Sequence, residues 1–264
     1  MAGRPRACNE LQSKEAKAPY WAVGVVSFAL SVCPMVTRGQ AYHRVEPTSS
    51  EHKALVSVRA LQTPVKAQDA FRHGAECFRK GDAAGSLRYF DRAIHEFPDY
   101  YEAYTYKGAA EFLLNRRDEA LQSFQKAIDL SGGHYARAYF GYGVLLLKQG
   151  KPEDAERLVR RGLAEDPNIA DGHVVLSMIL FNEGRFDEAE KSAGEAVRMP
   201  DSTGWRAFLV LASVHLRRAE YTSAVTDLER YLQAARNNPS CGADIESIQR
   251  ILAEIKRSMK QAPD

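Results

Sequence analysis

At 264 residues, 45% hydrophobic and 27% charged, the chain has the composition of an ordinary folded protein, which excludes collagen-like and low-complexity classes. Its net charge of +2 is uneven: residues 1–66 hold 9 Lys/Arg against 4 Asp/Glu, a net +5, and residues 67–264 hold 27 against 30, a net −3. A mildly acidic body lacks the clustered positive surface of a nucleic-acid binder, and four cysteines without a C-x-x-C pair indicate neither a zinc site nor a disulfide framework.

The first element is an uncharged run of 20 residues between Lys17 and Arg38, preceded by Arg4, Arg6, Lys14 and Lys17. A basic stretch ahead of an apolar core is the pattern of a secretory signal, and Gly39 to Ala41 offers small residues for cleavage after Ala41. The run is also long enough to stay in a membrane as an anchor through residues 18–37. Leu30 to Cys33 resembles a lipoprotein signal, although Val32 is bulky where a small residue belongs. Residues 1–41 are therefore read as a signal peptide or membrane anchor, and the protein as exported, periplasmic or membrane-associated rather than cytoplasmic. Residues 42–66 mix charge, Pro and Ser with little period and read as a linker.

From residue 67 the chain repeats. A small residue opening a helix recurs at Ser86, Ala120, Ala155, Ala189 and Ala224, in steps of 34, 35, 34 and 35. Five residues before each stands Gly81, Asn115, Gly150, Gly184 or Ala219, and the first four are types that accept the left-handed conformation ending a helix. Two helices and a short turn, repeated, stack so that each pair covers its neighbour's apolar face.

The spacing resembles the tetratricopeptide repeat. Five units fit: 67–100, 101–134, 136–169, 170–203 and 205–238, with Tyr135 and Gly204 as single extra residues. The eighth position reads Gly74, Gly108, Gly143, Ser177, Ala212, and the twenty-seventh Ala93, Ala127, Gly162, Ala196, Tyr231. Glu111 stands where an aromatic residue is common, and Tyr231 where a small one is usual. After the fifth unit, residues 243–260 carry Ile245, Ile248, Leu252, Ile255 and Met259 at helical spacing, the pattern of a capping helix. The resemblance implies an all-α fold, an open right-handed α-solenoid with a C-terminal cap.

No phosphate loop, paired-His zinc motif or nucleophile elbow appears, so no catalytic residue, metal ligand or cofactor is assigned, and the chain is read as not an enzyme. The basic stretch Arg157 to Arg161 is neutralised on paper by Glu153 and Glu156, each four residues before an arginine. In the resembled family the first helices line a concave groove. Mapped onto this chain, the groove holds Phe71, Phe78, Phe112, Phe140, Leu147, Val174, Met178, Phe181, Leu209 and Leu216, with Leu113, Asn182, Lys148, Arg79 and Arg217 beside them. The alternative is that the N-terminal segment or the C-terminal helix packs into the groove, or that some of these residues are core between repeats. The Lys/Asn clamp with which part of the family grips a C-terminal carboxylate is absent, since Phe71, Ala75, Thr105, Ala109, Phe140 and Val144 occupy its positions. The expected function is a non-catalytic scaffold or adaptor binding a protein or peptide in that apolar groove, with no nucleic-acid partner. The alternative is a self-assembling homo-oligomer without a dedicated peptide ligand.

Overall fold

The computed structural model describes residues 63–199, 203–236 and 242–261. The predicted signal or anchor and most of the linker lie outside the described residues. Among the described residues no helix is long and apolar enough to cross a membrane.

Eleven α-helices follow one another, and no strand occurs among the described residues. They form five antiparallel pairs: α1 (Val65–Arg79) with α2 (Ala83–Glu96), α3 (Tyr101–Leu113) with α4 (Arg117–Leu130), α5 (Ala136–Lys148) with α6 (Pro152–Glu165), α7 (Ala170–Asn182) with α8 (Phe186–Arg198), and α9 (Ala207–Arg217) with α10 (Tyr221–Ala235). A short 3-10 turn, Gly204–Arg206, leads into α9, and α11 (Gly242–Gln261) closes the stack on α10. Each second helix packs on the first helix of the next pair, and the first helices α3, α5, α7 and α9 also touch in succession. This is the solenoid the 34-residue period requires.

One turn is used five times. Gly81, Asn115, Gly150, Gly184 and Ala219 all have positive φ, between 59° and 86°. In each turn the amide of the next residue bonds back to the carbonyl five residues earlier at 2.8–3.0 Å, from Asp82 to Cys77 through Glu220 to His215. These bonds satisfy carbonyls that the helix end would otherwise leave open. Ala219 holds this conformation without glycine's freedom, so the fifth turn is the strained one.

Small residues let the helices close up. Ala189, Ala193 and Ala196 along α8 are wholly buried. Gly162 shows the tolerance: a Cβ there would lie 2.7 Å from the Phe140 ring, 2.9 Å from Tyr139 Cβ and 3.1 Å from the Ala136 carbonyl. Consecutive pairs are further tied at the surface, where Arg185 reaches Glu156 at 2.7 Å and Arg218 reaches Glu190 at 2.6 Å. Arg160 pairs with Glu156 as the spacing requires, while Arg157 turns to Asp154 at 2.6 Å and not to Glu153.

The irregular positions find their own solutions. Glu111, 5% exposed, accepts a 2.6 Å hydrogen bond from the Ser123 hydroxyl across the α3–α4 hairpin, and Lys107 bridges it to Asp91. Burial pushes the Glu111 carboxyl above its ordinary value of 4.5, against the opposing pull of Ser123 and Lys107. An acid with a raised folded-state value stabilises most when protonated, and that contribution is lost as pH rises through the raised value. Glu111→Gln keeps an acceptor for Ser123 without the buried charge. It is expected to melt at or above wild type at pH 7, by the equivalent of about 1 kcal/mol, with the advantage vanishing towards pH 4 in a melting series.

Tyr231, bulky where the repeat calls for a small residue, is fully buried and stacks on Trp205 at 5.2 Å. It packs in one cluster with Ile248, Ile251 and Ile255 of α11. The capping face is thus centred on Ile251, which the sequence reading left out, while Met259 is 39% exposed.

Candidate functional site

The inner face is built from the first helix of each pair. On α7 residues of every facing are apolar, and nearly the whole helix from Ala170 to Phe181 is buried among α5, α6, α8 and α9. A helix apolar all round belongs in an interior. Here it marks where the stack is tightest.

The ten residues assigned to the groove therefore separate. Phe78, Phe140, Val174, Leu209 and Leu216 are 2–4% exposed and lie inside hydrophobic clusters, so they offer no surface to a partner. Phe140 illustrates why: its ring fills a notch between Gly162 of α6 and Gly172 of α7, where a Cβ on either glycine would meet it within 2.7 Å. Met178 and Phe181 sit at the margin, each 9% exposed. Phe71, Phe112 and Leu147 remain half-buried against the core, and Leu113 next to Phe112 is 38% exposed. Phe71 is held by Tyr106 edge-on at 5.1 Å and Tyr100 at 5.2 Å.

The half-buried members of the assigned set thus lie on α1, α3 and α5, the first helices of the first three pairs. Lys148 follows Leu147 at the end of α5. Burial, and then the Arg117 guanidinium, hold its ammonium below the usual lysine range. Neither cation has a carboxylate within ion-pair distance among the described residues. Beside them an open polar recess is lined by Asn115, Arg116, Arg117, Asp118, Glu119 and Gln149. Among the described residues no group of three or more His, Cys, Asp or Glu is placed to hold a metal.

Sequence reasoning had no signal for which large residues would stay open. Position within the repeat is identical for buried Phe78 and half-buried Phe112.

Family models of the tetratricopeptide repeat match residues 112–179, and residues 72–135 together with 174–239. The chain belongs to the tetratricopeptide repeat family. Curated relatives include the anaphase-promoting complex subunit 3 of Schizosaccharomyces pombe, 25% identical over 157 residues, covering 59% of this chain and 23% of the relative. DnaJ homolog subfamily C member 3 of Mus musculus is 28% identical over 161 residues, 61% of this chain and 28% of the relative. The STIP1 homolog of Dictyostelium discoideum is 29% identical over 102 residues, 39% of this chain and 18% of the relative. The matched stretch spans little more than a quarter of these relatives at most. Among solved structures, a thermophilic tetratricopeptide-repeat protein of Thermus thermophilus superposes with a TM-score of 0.61 at 20% identity, covering 69% of this chain and 98% of that one. The type IV pilus biogenesis factor PilW superposes with a TM-score of 0.56 at 15% identity, covering 75% and 96%. At such identities the likeness is one of fold.

Proposed function

We propose that the chain is a non-catalytic scaffold that binds a polypeptide partner on its inner face, at the strip formed by Phe71, Phe112, Leu113 and Leu147. One observation carries this reading: half-exposed apolar side chains border two cations, Lys148 and Arg117, that have no acidic partner among the described residues. Exposed apolar surface beside cations held in no ion pair is what a partner with apolar side chains and a neighbouring acid would cover. A relative that is a subunit of the anaphase-promoting complex supports work within an assembly. The apolar run at residues 18–37 supports action at or beyond a membrane, by export or attachment.

The test is capture of partners by the wild type beside the double variant Leu113→Glu, Lys148→Glu. Both positions lie outside the tight packing, so the variant is expected to melt like wild type. A protein held by wild type and retained about tenfold less by the folded variant supports the strip. Equal retention overturns it. If neither retains a protein and light scattering shows a multiple of the chain mass, self-assembly replaces it.

A further inference from the structure

The turn between α3 and α4 meets the end of α5 at an open recess of about 650 Å³, lined by Asn115, Arg116, Arg117, Asp118, Glu119 and Gln149. Arg116 and Arg117 are exposed, and Lys148, one residue before Gln149, is half-buried. None of these three cations has a carboxylate within ion-pair distance among the described residues. Arg117 and Lys148 stand near enough to repel, since the guanidinium adds to burial in holding the lysine below its usual range. Both walls are pinned by the backbone. The Arg116 amide reaches the Glu111 carbonyl at 2.8 Å, and the Gln149 amide reaches the Leu145 carbonyl at 3.0 Å.

The repeat itself shows what is missing. Arg185 holds in the fourth unit the place that Arg116 holds in the second, just ahead of the second helix. Arg185 engages Glu156, Glu183 and Glu188 at 2.7–2.8 Å. In the second unit the places of Glu156 and Glu183 are taken by Leu87 and Leu114, which belong to the apolar packing of the first pairs. Glu119 keeps the place of Glu188, but with Asp118 it lies in the first turn of α4, where the helix amide dipoles favour its charge. The chain compensates the cation at this place with its own acids in one unit and leaves it open in the other.

We propose that this recess binds two neighbouring acidic side chains of the docked polypeptide, so that the ligand is an apolar segment flanked by an acidic pair. The inference rests on the polypeptide-binding reading above and adds a charge requirement to it. Leu113 is two residues from Asn115 and Leu147 two from Gln149, so strip and recess adjoin along both chain segments. An arginine fork takes a carboxylate through two parallel N–H bonds, and a lysine takes one as a point charge. Three cations spread over two helix ends suit two carboxylates on separate residues.

Thermal melting of the full chain tests this with three probes: the N-acetylated amides of diglutamate and diglutamine, and inorganic phosphate. At about 20 mM and matched ionic strength, the acidic dipeptide is expected to raise the midpoint by about 2 °C and the neutral one to leave it unchanged. Arg116→Gln, Arg117→Gln is expected to melt within about 1 °C of wild type, both side chains being exposed, and to lose about two thirds of the rise or more. Equal rises with the two dipeptides, or an undiminished rise in the double variant, overturn the site. So does a larger rise with phosphate than with the acidic dipeptide, which would make the ligand a phosphoryl group. A double variant melting well below wild type also overturns it, since the guanidinium groups would then be paired within the chain. The probes need no partner protein. A rise without capture of any partner therefore fails the apolar strip alone, and capture without a rise fails the recess alone.

Discussion

Phe140→Ala is expected to cost about 4 kcal/mol of folding stability, the largest effect of any single truncation considered for this chain. The ring is 3% exposed and lies where three helices meet: its own α5, α6 at Gly162 and α7 at Gly172. Both glycines lack the Cβ that could move in, so deletion of the ring leaves a cavity with walls of backbone. Such walls relax little, and the cavity adds to the lost transfer free energy. Chemical denaturation checks the value, with an unchanged m-value showing that the folded state keeps its extent. A cost under about 1 kcal/mol would mean the ring stands outside the inter-repeat core. For the same reason Phe140→Ala is a poor probe of partner binding, since lost stability would masquerade as lost contact.

His215→Ala is expected to destabilise by about 3 kcal/mol at pH 7. His215 Nδ1 meets the Asp227 carboxylate at 2.7 Å across the α9–α10 hairpin, and Asp227 is 5% exposed. Glu190 of α8 and Glu220 of the turn both lie 3.7 Å from Nε2, so one imidazole serves three carboxylates from three segments. Arg218 already occupies the other side of Glu190 and also reaches Asp187. Burial holds the Asp227 carboxyl above its ordinary value of 3.8, and the hydrogen bond from His215 is the main opposing influence. Without the histidine the folded-state value climbs further. A raised acid contributes stability that is complete below its unfolded value and lost as pH rises through the folded one, so the variant suffers most at neutral pH. The gap to wild type is expected to shrink to about 1 kcal/mol near pH 4, measured by denaturant melts across the range. His215→Leu, Asp227→Leu should recover most of the neutral-pH loss, because no buried charge is then left behind. A gap independent of pH would assign the loss to packing.

The period, the phase and the turns were legible because each rests on a backbone requirement. Gly81, Gly150 and Gly184 stand where φ is positive, and Gly162 and Ala196 where helices approach too closely for a larger side chain. The candidate site was legible only in part. Phe112 and Phe78 share a repeat position but differ in exposure, and Phe78 is buried with Ala83, Leu87 and Tyr106, contacts that a pattern within one unit does not encode. The apolar face of α11 was read with Ile245, Ile248, Leu252 and Ile255 in place, and the reading missed only that Ile251 is buried and Met259 is not. The pairing of Glu111 with Ser123, and the lack of a hydrogen-bond acceptor for Arg206 among the described residues, depend on distances across a hairpin or turn. Composition gives no sign of either.

The burial of α7 has a mechanical consequence. In a stack where each unit touches only its neighbours, curvature is a soft coordinate and every joint can bend a little. Here α7 leans on the first helices before and after it, whereas α1 and α3 barely meet. Bending is therefore resisted at the fourth pair, where α7 is held by the first helices on both sides as well as by α6 and α8. The half-buried Phe71, Phe112 and Leu147 all lie on pairs ahead of that stiffened one, so the proposed strip would be carried on a stack braced from behind.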